Sequence, residues 1–268
     1  LGDVYKRQGG NNLLTELMEQ LPYDHPARMY YKSIEIAPEK TYGSILSSLQ
    51  SKLGKFDSKE IAELTSTDTI DFEEIGRKKT AVYVISSDTH TAYDFLLTIF
   101  FAQMIQQLYD FADLSGGRLP IPTFFILDEF ANIGQVPDFD KKISTSRSRG
   151  IQFSVILQNL DQLEAVYEKS YETIIGNCDT HIFLGSNSQK TVEYFSKALG
   201  EKTVERRSVS VNKDRQNWMQ GKSVSDQINA RALLTPDELR RFDNDYCIIF
   251  EKGIRPVKAK KYYYFMKP

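Results

Sequence analysis

Pro120 to Gly134 reads PIPTFFILDEFANIG, and an apolar run that ends in two adjacent carboxylates decides how the rest of the chain is read. Thr123 to Leu127 is short, unbroken and rich in aromatic and branched residues, with prolines just ahead of it. Such a run suits a strand buried on both faces of a parallel sheet. Asp128 and Glu129 follow at its carboxyl end, where open α/β sheets place their ligands. Two carboxylates there match the chemistry of a nucleotide motor, in which the Asp holds Mg²⁺ through water and the Glu polarises the water that attacks the γ-phosphate of ATP. A strand followed by a solvated acidic turn is the plain alternative, because so short a string is permissive.

The phosphate-cradling loop that normally precedes such a strand is not in this sequence. No GxxxxGK[ST] occurs: the one Gly-Lys-Ser, Gly221 to Ser223, has Gln216 where the first glycine must stand. The expectation is that the chain begins after that loop, as a C-terminal fragment, and that these residues alone do not hydrolyse ATP. LGDVYKRQ (Leu1 to Gln8), joined through Gly9 and Gly10, reads as a non-native scar, so residues 1–12 are set aside as scar and linker. No apolar run approaches the roughly 20 residues that span a bilayer; Phe95 to Ala102 is flanked by Asp94, Gln103, Gln106 and Asp110 and reads as a buried helix.

The 268 residues are 41% hydrophobic and 26% charged, with a formal charge of −2. That balance describes a globular chain and gives no global attraction to nucleic acid, so any DNA contact needs a local patch. Cys178 and Cys247 lack metal-ligand spacing and read as reduced core residues. His25, His90 and His181 are scattered and form no metal or catalytic set.

Organisation changes near residue 78. Residues 13–77 read as helices and loops, an all-α domain. From Thr80 the pattern alternates: strand Ala81 to Ile85, helix Ala92 to Ala112, the Asp-Glu strand, helix Asp138 to Ser146, strand Gln152 to Leu157, helices between Leu160 and Ile175, strand His181 to Leu184 and helix Gln189 to Leu199. Such alternation implies right-handed βαβ crossovers and a sheet that is parallel at its centre. Beyond it, Val204 to Val211 reads as a weak edge strand and Lys213 to Lys222 as a polar loop. Thr235-Pro-Asp-Glu opens a short helix with a capping box, and Tyr246 to Phe250 and Val257 to Phe265 read as two strands.

Gln158 directly follows a strand, at the same edge as Asp128 and Glu129, where its amide can sense the attacking water or the γ-phosphate. Arg147 and Arg149 precede that strand, at the opposite edge, from which they reach a neighbouring subunit's nucleotide rather than their own. An arginine supplied in trans stabilises charge on the γ-phosphate and makes hydrolysis depend on assembly. A polar strand end and two surface arginines are the competing reading.

FILDEFANIG (Phe125 to Gly134), SRSRGIQFSVILQNLDQL (Ser146 to Leu163), IIGNCDTHIFLGSNSQKTVEYFSKALGEKTV (Ile174 to Val204) and ARALLTPDELRRF (Ala230 to Phe242) occur in that order. Together they resemble the TraG/TraD-type coupling proteins of conjugation and type IV secretion, over essentially everything from residue 11 onward. The resemblance implies a RecA-like α/β motor over residues 78–268, a mostly parallel sheet flanked by helices, preceded by part of an all-α domain over 13–77. It implies Asp128 and Glu129 as the Walker B pair, Gln158 as the following glutamine, Arg147 as the trans-acting arginine and Arg149 as a second candidate for that role. It also implies ATP and Mg²⁺ as cofactors and a homo-hexamer on the cytoplasmic face of the bacterial membrane, held by N-terminal helices absent here. The partners implied are single-stranded DNA, a relaxase or secreted effector, and the channel of type IV secretion. Within that picture residues 13–75, with Leu13-Leu14 and Tyr30-Tyr31, read as the part that receives protein cargo. The loop Lys213 to Lys222 is a candidate for DNA, and the basic tail Arg255 to Lys267 reads as a solvated strand face. Two alternatives remain open: another RecA-like DNA pump of the FtsK/HerA type, or a non-catalytic cargo-receptor or assembly module.

Overall fold

A computed structural model of the protein describes residues 13–86, 93–211 and 222–265. The chain divides into two compact units, Leu1–Ile70 and Asp71–Pro268.

The first unit is helical: α1 (Leu13–Glu19), α2 (Pro26–Glu35), α3 (Glu39–Leu53) and α4 (Lys59–Thr65). Local signals set its boundaries. Pro26 opens α2 at its first turn, and Ser58 caps α4 by accepting the Ile61 amide, each satisfying or sparing an N–H that the first turn leaves unpaired. Tyr31 is buried and its hydroxyl shares a 2.8 Å hydrogen bond with Thr15 Oγ1, whereas Tyr30 faces solvent.

The second unit starts with α5 (Phe72–Arg77), ahead of the boundary expected near residue 78, because Phe72 is buried in this unit's core and packs edge-on against Phe100. Residues 81–85, expected as a strand, join no ladder and are exposed. Their alternation fits a strand, but a strand exists only through its neighbour's hydrogen bonds. The long helix α6 (Asp94–Leu114) buries Met104, Ile105, Leu108, Tyr109 and Ala112. Against it lie β1 (Thr123–Leu127) and β2 (Ile151–Val155), parallel and in register from Thr123↔Ile151 to Leu127↔Val155. Helix α7 (Phe139–Thr145) connects them. In β1 the side chains of Thr123, Phe125 and Leu127 are buried while Phe124 and Ile126 are exposed. The expected burial on both faces is therefore corrected: one face packs on the core and the other is open.

Helices α8 (Leu160–Tyr167) and α9 (Tyr171–Gly176) lead to β3 (Thr180–Phe183) and α10 (Gln189–Leu199). After α10 come β4 (Glu201–Val211) and β5 (Lys222–Ala232), an antiparallel pair forming its own sheet. α11 (Pro236–Arg240) has the full capping box, Thr235 and Glu238 each serving the other's backbone N–H. β6 (Tyr246–Glu251) pairs with β3 on one side and β7 (Val257–Lys260) on the other, both antiparallel. Two cores result. One joins α5, α6, β1, β2, α7, α8 and α9; the other gathers Phe183, Val192, Phe195, Leu239 and Ile248.

Candidate functional site

The carboxyl ends of β1 and β2 form the site. Ile156 N–H donates to the Leu127 carbonyl at 3.0 Å and Phe130 N–H to the Ile156 carbonyl at 3.1 Å, so the two chain segments stay paired beyond the strands. Between them, Asp128 and Glu129 are exposed. Glu129 sits in the left-handed region at φ 49°, ψ 46°, which costs a non-glycine residue roughly 1–2 kcal/mol. Such strain persists only where the surroundings impose it.

Those surroundings are unusually complete. The turn after Glu129, Phe130–Ile133, is a single turn of 3-10 helix that buries Phe130 and Ile133. The Phe130 ring lies parallel to Tyr167 at 5.5 Å, and the Tyr167 hydroxyl accepts the buried Val136 N–H at 3.1 Å. Burial pushes the Tyr167 phenol up to about 12, so it stays a neutral hydroxyl at physiological pH. From the other side, Thr98 Oγ1 donates to the Ile133 carbonyl at 2.5 Å. Gly134 follows at φ +81°, and a Cβ there would stand 2.6 Å from Thr98 Oγ1; the close approach of α6 needs glycine.

Both carboxylate oxygens of Glu129 accept amide hydrogens: Asn132 Nδ2 reaches Oε2 at 2.8 Å and Gln158 Nε2 reaches Oε1 at 3.3 Å. Asp128 Oδ1 accepts the Glu129 N–H at 3.1 Å. Among the described residues no ion pair engages either carboxylate. The sequence reading brought Asp128, Glu129 and Gln158 to one edge, and they meet there. It missed Asn132, whose only signal is its place three residues after Glu129 in a turn too short to show periodicity.

Gln158 is anchored through its own loop. Asn159 caps α8 by accepting the Gln162 N–H at 3.0 Å, and Leu160 N–H donates to the buried Thr191 Oγ1 at 3.0 Å. Ser188, at the start of α10, donates to Asp161 Oδ2 at 2.5 Å.

Arg147 and Arg149 lie in the turn before β2, at the opposite edge of the pair. They differ sharply. Arg149 Nε and Nη2 grip Asp113 at 3.0 and 3.3 Å, its guanidinium sits 5.0 Å above the Tyr109 ring, and its side chain is 26% exposed. Arg147 is 93% exposed, and among the described residues its ion-pair partner is Asp179 at 3.9 Å.

Among the described residues no group of three or more His, Cys, Asp or Glu side chains could hold a metal, and no helix is long and apolar enough to cross a membrane. A hard divalent cation such as Mg²⁺ does not require such a cage, since it binds through one or two carboxylates, water and phosphate. Asp128, exposed and unpaired by any cation, fits that habit. His25 caps α2, and His181 bonds the Ile175 carbonyl and the Tyr194 hydroxyl. His90 and the candidate loop residues 213–221 lie outside the described residues. Cys178 and Cys247 are free thiols, and burial raises the Cys178 thiol.

The family model for type IV secretory system conjugative DNA transfer matches residues 4–268. Protein VirD4 of Rhizobium rhizogenes is 28% identical over 203 residues, 75% of this chain and 30% of that protein. Conjugal transfer protein TraG of Rhizobium radiobacter is 23% identical over 259 residues, 95% of this chain and 39% of that protein. The chain thus spans about a third of the length of these relatives. Among solved structures, the plasmid coupling protein TrwB in complex with the non-hydrolysable GTP analogue GDPNP has a similar fold. Its TM-score is 0.64 at 18% identity, covering 87% of this chain and 53% of that one.

Proposed function

The chain belongs to the type IV secretory system conjugative DNA transfer family, and on that premise we propose that it forms the catalytic-carboxylate side of an ATP-driven DNA-transfer motor. The observation that carries the reading is the fixing of Glu129 by two amides, Asn132 at 2.8 Å and Gln158 at 3.3 Å. A general base must be held within reach of its water with one lone pair free. Asn132 and Gln158 each take one oxygen, which leaves each oxygen a further lone pair for water. In this reading Glu129 polarises the attacking water and accepts its proton, Gln158 orients Glu129 and reports on the γ-phosphate, and Asp128 holds Mg²⁺ through water. The nucleotide, when bound with Mg²⁺, supplies the phosphoanhydride whose hydrolysis drives movement. The GTP analogue bound to TrwB, a protein of similar fold, supports a nucleoside triphosphate as ligand.

Arg147, exposed and held only by the long 3.9 Å pair with Asp179 among the described residues, is the arginine available to a neighbouring subunit of a homo-hexamer, while Arg149 holds the turn that presents it. The helices before Asp71 belong to an all-α domain that faces a relaxase or effector, and the unit from Asp71 onward to the motor. The complete assembly works at the cytoplasmic face of a bacterial membrane, feeding single-stranded DNA into the secretion channel. Because the sequence holds no phosphate-cradling loop, the 268 residues alone are expected not to turn over ATP.

The test is DNA transfer between cells whose natural gene product carries Glu129→Gln or Gln158→Ala. Transfer should be lost at unchanged protein level. Transfer by Glu129→Gln at the wild-type frequency would mean that the protein acts as a receptor without chemistry.

A further inference from the structure

From Lys252 to the end the sequence holds six Lys and Arg residues and no Asp or Glu, in a chain whose formal charge is −2. Positive charge is thus segregated into this segment, the local condition for holding a polyanion. The fold sorts the segment into two rows. Ala259, Lys261 and Tyr263 are half-buried, whereas Lys258, Lys260, Tyr262 and Tyr264 are exposed.

The inward row is tied down. Lys261 Nζ donates to the Leu184 carbonyl at 2.7 Å, and the Tyr263 hydroxyl donates to the Asn244 carbonyl at 3.1 Å. These bonds fix the chain after β7 to the end of β3 and to the turn before β6. The outward row is therefore presented by an anchored backbone. Tyr262 and Tyr264 are 78% and 81% exposed. The row begins at Lys258, whose ammonium lies 4.1 Å from the Tyr246 ring centre and 5.2 Å from that of Phe242.

We propose that Lys258, Lys260, Tyr262 and Tyr264 form a binding strip for single-stranded DNA, the lysines meeting phosphates and the tyrosine rings stacking on bases. Outward side chains two residues apart on a strand are ~6.8 Å apart, the spacing of Lys258 and Lys260 in β7; Tyr262 follows the strand, and Tyr264 stands in the next turn with its ring edge-on to Phe265 at 5.5 Å. Stacking of this kind tolerates any base and needs bases that are not already stacked in a duplex. A lipid surface fits less well, because an interfacial element presents a broad aliphatic face on a helix and this row is a strand end and the turn after it, carrying phenols and ammonium groups. The choice of DNA over RNA rests on the DNA-transfer reading above.

The experiment measures fluorescence anisotropy of a labelled oligothymidylate of roughly 20 nucleotides with the whole chain, without ATP. Binding should favour the single strand over a duplex of equal length and weaken with salt. Tyr262→Ala and Tyr264→Ala should each weaken it from about 5-fold to about 150-fold, while Tyr262→Phe and Tyr264→Phe retain it. Lys260→Gln should lower the log–log salt slope by about 0.7. Unchanged thermal midpoints in these exposed-site variants establish that folding is not the cause. Wild-type affinity in the Tyr262→Ala/Tyr264→Ala double variant, equal affinity for duplex, or tighter binding of oligouridylate than of oligothymidylate would overturn the proposal. So would binding to phosphatidylserine vesicles that oligothymidylate does not displace. Since no nucleotide is present, failure here leaves the Glu129 reading standing, and failure of Glu129 leaves this strip to be judged by itself.

Discussion

Replacing Tyr167 by phenylalanine removes one oxygen from the packing that supports Glu129. The ring stack on Phe130 survives, but the Val136 N–H, buried with its residue, loses its acceptor at 3.1 Å. A buried donor left unpaired costs about 1–3 kcal/mol. Taking about 2 kcal/mol and a urea dependence near 2 kcal/mol per molar, the unfolding midpoint of the chain should fall by roughly 1 M at pH 8, with the slope unchanged. The phenol adds a pH signature. Burial holds its folded pKa at about 12, against an ordinary value of 10.0. A raised folded pKa contributes stability that is complete below pH 10 and is lost as pH rises to 12. Two pKa units correspond to roughly 3 kcal/mol. The phenylalanine variant lacks this loss, so the wild-type advantage should close between pH 10 and pH 12. Urea titrations followed by circular dichroism at several pH values measure both effects. A difference under about 0.5 kcal/mol at pH 8, with parallel pH curves for the two proteins, would refute the reasoning.

Gly134→Ala should destabilise by about 1–3 kcal/mol, because its φ is +81° and Thr98 Oγ1 would stand 2.6 Å from the new Cβ; urea unfolding reads the loss, and Thr98→Ala should recover only part of it, since the dihedral strain remains. The Glu238 carboxyl is lowered by the Thr235 N–H first and by Arg231 next, so its contribution is present above the ordinary value of 4.5 and lost as pH falls through the folded pKa. The thermal midpoint of Glu238→Gln should therefore lie below wild type at neutral pH and converge on it in acid. Mixing natural gene products carrying Arg147→Ala and Glu129→Gln should restore some ATP hydrolysis at mixed interfaces, each subunit supplying what the other lacks; silence in mixed rings shown to have formed would remove Arg147 from the trans role.

What was legible in the sequence shares one property: it is fixed by a few neighbouring residues. The Asp-Glu pair at a strand end, the capping box at Thr235 and the amphipathic α10 are all of that kind. The features that were not legible depend on distant partners. Residues 81–85 alternate like a strand yet find no ladder, while β5 has only Val224 and Ile228 as large apolar residues and exists because β4 pairs with it from Glu201↔Ala232 to Val211↔Lys222. Arg147 and Arg149 look equivalent in the string SRSRG. Only the position of Asp113 and Tyr109, 36 residues and more upstream, makes one a clamp and leaves the other exposed. Asn132 escaped notice because a single 3-10 turn has no period, although that turn is what returns its amide to Glu129.

The most direct measurement of the central claim is ATP hydrolysis by the natural gene product carrying Glu129→Gln, with nucleotide binding measured on the same preparation. The amide keeps the shape of the side chain and its place between Asn132 and Gln158 but cannot accept the proton of the attacking water. Binding should persist and turnover should fall by about 100-fold to about 10,000-fold. Turnover near the wild-type rate would contradict the account, because it would mean that the residue held by those two amides takes no part in the chemistry.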